Sequence, residues 1–265
     1  MAGNWILWTL LVSLSGCASA PRAEAEANVA IPPAEELDQV AGITYRNRYA
    51  LPDASAKLVD NQGNGRAELY GVRNFRAVLS GIYYRGGANN AYNKHEKRGN
   101  SNPLPAAGLE NLCREGFSEA VYLYPTNYGA SAKSVRCRTY QGNENVLTYE
   151  QISPLKYQRA DQQKLLNLIY DRIRNPRLGP IYDHCWNGWH ASGFVAAITL
   201  RQFCGFSKEQ AVAYWNKNTD GNNGNSKNYN KLRAQIAAFA PFPELTLTDA
   251  EKHQLCPEPS TLRFR

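Results

Sequence analysis

The chain has 265 residues, 43% of them hydrophobic and 20% charged. That globular balance excludes a mainly disordered chain and a multispanning membrane protein, and the length allows one large domain or two small ones. The net charge is +7 and is unevenly spread: residues 17–40 hold Arg22 against Glu24, Glu26, Glu35, Glu36 and Asp38, so the positive excess falls on residues 41–265. A basic body favours anionic partners such as phosphorylated molecules or anionic lipid. The sequence has no block of Lys or Arg and no RNA-binding motif, which points away from nucleic acid.

Residues 5–14 read WILWTLLVSL, an apolar run of ten that suits the core of an export signal and is too short to span a bilayer. Behind it stands Leu14-Ser15-Gly16-Cys17, which resembles the bacterial lipobox, although Met1 to Asn4 lack the usual Lys or Arg. The resemblance implies a signal peptide over residues 1–16 and a lipidated Cys17 as the new N-terminus. Ala18, where an Asp would hold the protein in the inner membrane, implies a lipid anchor in the outer membrane of a bacterial cell envelope, facing the periplasm. Residues 18–40, rich in Ala, Pro and Glu, read with Cys17 as a flexible tether, which leaves residues 41–265 as the folded domain.

The organised region begins over residues 68–88. Residues 105–116 read as a short helix that Gly116 stops. Residues 119–124, EAVYLY, read as a strand. Leu165, Leu166, Ile169 and Ile173 share one face of a helix over residues 161–174, with Asp161 as its N-cap. A short buried strand over 180–184 and an apolar helix over 192–203 follow. Ser207 with Gln210 makes a capping box for the next helix. Residues 216–230 are an Asn- and Gly-rich loop, and residues 229–239 a further helix. That loop does not fit a calcium site, because Asn223 and Tyr229 stand where Gly and Glu are needed. Alternating strands and helices predict a layered α/β fold. No metal or cofactor is expected.

Export places the chain where disulfides form. Setting Cys17 aside leaves Cys113, Cys137, Cys185, Cys204 and Cys256, an odd number, so one thiol is left over if pairing is internal. Spacing does not fix the connectivity. Pairing Cys113 with Cys137 and Cys204 with Cys256 would leave Cys185 free, and a free thiol in an oxidising compartment is a functional candidate.

Cys185 lies in His184-Cys185-Trp186-Asn187-Gly188-Trp189-His190-Ala191-Ser192-Gly193, between the short strand and the apolar helix. A tight loop leading into a helix N-terminus offers backbone N–H groups and a positive dipole end, which favour a thiolate or a tetrahedral oxyanion. The segment resembles the active-site loop of the cysteine-dependent protein tyrosine phosphatase superfamily, H-C-x-x-G-x-x-R-[ST]-G, at His184, Cys185, Gly188, Ser192 and Gly193. It is closest to the atypical dual-specificity branch, where the loop often reads C-x-x-G-x-H-R and His190 falls on that histidine. Arg73-Asn74-Phe75-Arg76, Gly81 and Tyr84-Arg85-Gly86-Gly87 look like the family's opening hairpin. Leu109, Leu112, Gly116 and Phe117 look like its first helix, and Asn175-Pro176 with Pro180-Ile181-Tyr182 like its approach to the nucleophile. The match runs from about residue 70 to about residue 215.

The resemblance implies a three-layer fold, a central mostly parallel sheet with helices on both faces, and Cys185 as nucleophile. It makes residues 186–193 an anion-binding loop and His184 its support. One position departs: the family arginine, which clamps two phosphate oxygens, is Ala191 here. Losing such a preorganised group costs about 3–4 kcal/mol of transition-state stabilisation. His190, Arg85 and Arg201 are the candidates to replace its charge. Asp161 and Glu150 are candidate general acids, while Asp183 reads as structural. Trp186 and Trp189 either rim the site or pack the loop.

Two functions follow. One is an exported phosphatase-like hydrolase whose activity is weak or altered by Ala191. The other is a pseudophosphatase that binds an anionic small molecule or protein without turnover. Redox chemistry at Cys185 lacks a C-x-x-C partner.

Overall fold

The computed structural model describes residues 49, 51–89, 103–156 and 159–264. Residues 1–40, expected to hold a signal peptide and a tether with Cys17, lie outside the described residues.

Strands β1 (Val72–Leu79) and β2 (Tyr83–Ala88) form an antiparallel hairpin. Gly81, at φ +81°, makes its turn, and every residue of both strands is buried. Helix α1 (Ala106–Arg114) ends before Gly116 at φ +87° and leads into β3 (Glu119–Tyr122). A second hairpin, β4 (Ser134–Arg138) and β5 (Glu144–Gln151), was not read from the sequence. Its first strand has one exposed face and few apolar residues, so the strand signal is weak. Helix α2 (Arg159–Arg174), β6 (Ile181–Cys185) and α3 (Ala191–Phe203) follow. The chain closes with α4 (Lys208–Lys217), α5 (Lys227–Ala238) and α6 (Asp249–Leu255).

The strand order is β1-β2-β6-β3-β5-β4. The four inner strands run parallel, and each outer strand is antiparallel to its neighbour. Side chains alternate across the sheet, so β6 sends Ile181 and Cys185 to one core and Tyr182 to the other. Helices α2 to α5 cover the first face through Leu165, Ile169, Phe194, Trp215 and Ile236. Helix α1 covers the second through Leu109 and Leu112. This is the expected three-layer α/β fold.

Several boundaries differ from expectation. Strand β3 stops at Tyr122, ahead of Pro125. Helix α2 begins at Arg159, so Asp161 sits inside the first turn and is not the N-cap. Helix α5 begins at Lys227 because Ser226 caps it, accepting from the Tyr229 N–H. The Ser207–Gln210 capping box is present, and Thr248 with Glu251 makes another at α6.

Disulfides join Cys113 to Cys137 and Cys204 to Cys256, leaving Cys185 free among the described residues. The first ties edge strand β4 to α1, and the second ties the end of α3 to the end of α6. Their separations of 24 and 52 residues correspond to roughly 3–4 kcal/mol each in the chain-entropy account.

Candidate active site

Strand β6 delivers Cys185 to the carboxyl end of the parallel strands, where open α/β sheets bind ligands. The thiol is 3% exposed. The chain then turns over the ends of β1 and β2 before entering α3. Gly188, at φ +74°, makes this turn possible: a Cβ there would lie 2.6 Å from the Gly86 carbonyl carbon and 2.8 Å from the Gly87 nitrogen. A Cβ on Gly87 would come equally close to Asn187. Loop and hairpin therefore meet backbone to backbone.

Three successive loop carbonyls are held from beneath. The Trp186 carbonyl accepts from Arg73 Nε at 3.0 Å and Nη2 at 2.5 Å. The Asn187 carbonyl accepts from Asn74 Nδ2 at 2.6 Å, and the Gly188 carbonyl from Arg85 Nη1 at 2.8 Å. Arg73 also reaches the Asn187 side chain. Because a trans peptide is planar, fixing these carbonyls downward turns the N–H groups that follow them the other way, except that Asn187 pairs with Gly87 in an isolated β-bridge, which takes one loop N–H to the hairpin backbone. Helix α3 adds to that set. Its first backbone bond runs from the Phe194 N–H to the His190 carbonyl, so the N–H groups of Ala191, Ser192 and Gly193 precede the ladder. The result is a concave row of donors at a positive helix end.

Ser192 links this cradle to the thiol. Its hydroxyl accepts from Arg85 Nη1 at 3.3 Å and lies 3.5 Å from Cys185 Sγ. With its oxygen taken by a guanidinium, the hydroxyl proton is left to point at sulfur.

Arg73, Arg76 and Arg85 are all buried under the loop. For Arg85, burial works against the charge, but Tyr214 and then Tyr83 and Asp183 raise the guanidinium, which stays protonated. Burial and the repulsion of Arg85 lower Arg76 to about 10, so it too is charged at neutral pH. Asp183 lies among them, accepting from Tyr83 Oη at 2.5 Å, and burial pushes its carboxyl well above the usual range. Asp220 compensates in part, accepting from Arg76 at 3.0 Å and Lys57 at 2.7 Å. The ground beneath the loop is net positive without a loop arginine.

The outer side of the loop is fastened by the turn after α4. Trp189 Nε1 donates to Asp220 Oδ2 at 2.9 Å, and His190 Nε2 donates to the Asn222 carbonyl at 2.6 Å. Trp186 Nε1 donates to Tyr122 Oη at 3.1 Å while the residue stays 37% exposed. Trp189 thus packs the loop, and Trp186 rims it.

Each of the three candidates to replace the arginine's charge is engaged elsewhere. Burial lowers His190 below the ordinary histidine value, which keeps it neutral at pH 7, and its ring stacks on Tyr229 at 4.4 Å. Arg85 is used up on Gly188, Ser192, Tyr214 and Asn218. Arg201 donates to the Ile236 and Ala237 carbonyls at the end of α5. Among the described residues, no hydrogen bond or ion pair joins Asp161 to the loop, and Glu150 pairs with Lys164 at 2.5 Å. No group of three His, Cys, Asp or Glu among the described residues is placed to hold a metal.

His184 supports the loop from within the sheet. The Cys185 carbonyl, 3.2 Å from His184 Nδ1, can only accept, so Nδ1 carries the ring proton. Nε2 then accepts from Tyr149 Oη at 2.9 Å, and that hydroxyl itself accepts from the Leu104 N–H at 3.0 Å. Burial lowers His184 to about 3, against 6.5 in an unfolded chain. Between those values the unfolded state binds a proton that the folded state does not. The resulting stability is full above about pH 6.5 and is lost as pH falls toward 3, by up to about 1.4 kcal/mol per pH unit. Urea unfolding at pH 6.5 and pH 5 should show His184→Asn losing about 2 kcal/mol less than the wild type over that interval. Equal losses would mean His184 is protonated in the fold.

Arg73, Asn74, Tyr122, Asp220 and Asn222 were not read from the sequence as parts of the site. The first two stood inside the hairpin motif, and three arginines on one hydrophobic hairpin already implied buried acceptors.

No family model matches the chain, and no curated protein matches it. Among solved structures the chain is similar to the core catalytic domain of the PP-IP phosphatase SIW14 from S. cerevisiae, in complex with citrate. Identity is 14%, over 63% of this chain and 86% of that one, with a TM-score of 0.40.

Proposed function

We propose that this chain is a cysteine-dependent phosphatase-like protein of the bacterial cell envelope, lipid-anchored through Cys17, whose Cys185 loop binds a phosphorylated or other anionic ligand and turns it over weakly. The observation that carries the reading is the loop's polarity. Its carbonyls are tied down to Arg73, Asn74 and Arg85, so its N–H groups form a donor row beside the free thiol. In turnover, Cys185 Sγ forms a bond to phosphorus as the ester P–O bond breaks, and water then releases phosphate. The leaving oxygen needs a proton. Asp161, in the first turn of α2, is the candidate donor. A second reading, anion binding without turnover, is favoured by the engagement of His190, Arg85 and Arg201 elsewhere.

The test combines vanadate titration by calorimetry with hydrolysis of p-nitrophenyl phosphate, on the wild type and Cys185→Ser. Vanadate should bind the wild type, and a slow hydrolysis should disappear in the variant. Binding with no hydrolysis selects the second reading. No vanadate binding at millimolar concentration would remove both.

Anchoring has its own test. In a bacterial host, radiolabelled palmitate should label the wild type, and Cys17→Ala should lose all label. A labelled variant would contradict the lipid anchor.

A further inference from the structure

The two halves of the Cys185 loop are held differently. Trp186, Asn187 and Gly188 are held from beneath by their carbonyls, through Arg73, Asn74 and Arg85. Trp189 and His190, which lead into α3, each send a side chain to one turn over residues 219–222. The Asn222 N–H closes that turn on the Thr219 carbonyl at 2.9 Å. Its two central residues, Asp220 and Gly221, stand at φ +51° and +79°. Positive φ at both central positions is the pattern of a type I′ turn, which Asp and Gly accept more readily than most residues.

The Asp220 carboxylate divides its oxygens among three partners. Oδ1 accepts from Arg76 Nη2 at 3.0 Å, and Oδ2 accepts from Lys57 Nζ at 2.7 Å and Trp189 Nε1 at 2.9 Å. Arg76 belongs to β1. The segment that carries Lys57 is fastened to the same strand, the Leu58 N–H donating to the Phe75 carbonyl at 3.0 Å. One carboxylate therefore ties β1 and its flanking segment to the loop. Burial works against its charge, but the Lys57 hydrogen bond and then Arg76 hold it below the ordinary aspartate value, so it is ionised at neutral pH.

A negative charge beside an anion site opposes binding. Asp220 stands there nonetheless, with two cations to offset it and an indole N–H to hold. From this, and resting on the anion-site reading of the Cys185 loop, we propose that Asp220 is a positioning residue. Through Trp189 it fixes the outer half of the loop, so that the N–H groups leading into α3 face Cys185. This contribution outweighs the repulsion of its own charge. The sign of its effect separates positioning from charge: a residue acting by charge alone would, once neutralised, tighten anion binding and favour the thiolate.

Two measurements on the full chain in detergent test this: vanadate calorimetry, and the rate of Cys185 alkylation by iodoacetamide across pH. The variants are Asp220→Gly, Trp189→Phe and the two combined. Glycine takes positive φ freely and so keeps the turn, while phenylalanine removes the indole N–H and no charge. Each single variant should bind vanadate about fivefold more weakly than the wild type, the scale of one hydrogen bond. Each should raise the alkylation midpoint by about half a pH unit, because misplaced donors stabilise the thiolate less. The double variant should bind within about twofold of the weaker single variant, since both changes remove the same bond. Tighter vanadate binding by Asp220→Gly would overturn the proposal, as would single effects that multiply in the double variant. Trp189→Phe leaves every ion pair in place and decides the outcome should Asp220→Gly not fold. Vanadate affinity in Trp189→Phe equal to the wild type's would then overturn it. A wild type that binds no vanadate ends the anion reading alone. The alkylation profile then decides this one: a raised midpoint in Trp189→Phe supports it, and an unchanged midpoint ends it.

Discussion

Ala191→Arg should raise the turnover of an aryl phosphate tenfold or more, equivalent to at least about 1.4 kcal/mol of transition-state stabilisation. The donor row is built from backbone, so it survives without an arginine side chain and can hold a ground-state anion. What it lacks is a bidentate group matched to the charge that develops during transfer. Restoring one such group is worth up to about 3–4 kcal/mol when the geometry is right. The full value is not expected, because no general acid among the described residues is bonded to the loop. Position 191 is also fully buried at the first turn of α3. A long cation there faces the helix's positive end and a packed surround, and overpacking typically costs about 1–3 kcal/mol. Thermal melting should accompany the assay. The gain should vanish when Ala191→Arg is combined with Cys185→Ser. High wild-type turnover would mean that a cation now bonded elsewhere rearranges on binding. A folded, vanadate-binding Ala191→Arg variant with no gain would leave the binding-protein reading in the lead.

Arg85→Ala should be the most destabilising single change at the site, by about 3–5 kcal/mol from lost hydrogen bonds and the cavity left behind. Arg85 is fully buried and bonds four groups from three parts of the chain: the Gly188 carbonyl, Ser192 Oγ, Tyr214 Oη and the Asn218 carbonyl. Truncation leaves those acceptors without partners in a dry interior. Arg85→Lys is the sharper variant. It keeps the charge and most of the volume, but an ammonium cannot reproduce the forked geometry that meets Gly188 and Tyr214 together. Its urea midpoint should fall less than that of Arg85→Ala, while its vanadate affinity falls at least tenfold because the Gly188 carbonyl is no longer held down. If Arg85→Lys bound vanadate as the wild type does, the account of how the loop's polarity is set would be wrong.

Within the sheet, most elements were legible because their signals are local. Glycines at 81, 116 and 188 mark turns that need positive φ, and they sit at those turns. The Ser207–Gln210 box announces α4, and the 3.6-residue spacing of Leu165, Leu166, Ile169 and Ile173 announces α2. The hairpin β4–β5 was missed because a half-exposed edge strand such as SVRCR carries little hydrophobic periodicity. Asp161 was misplaced as a cap because it is the third residue of a helix that begins at Arg159, and a cap and a first-turn acid share the same dipole preference.

By itself the sequence determined the strand–loop–helix around Cys185, the odd cysteine count, and the alanine where the resembled loop carries arginine. These depend on residues within a few positions of one another. Only the tertiary structure decided which cysteines pair, and what the buried arginines bond. Arg85 and the Gly188 carbonyl lie 103 positions apart, and Arg73 and the Trp186 carbonyl 113. A buried donor must find an acceptor somewhere, so the composition of the first hairpin demanded partners. Which carbonyls would answer, and so which way the loop's N–H groups would face, was set by the packing of distant segments.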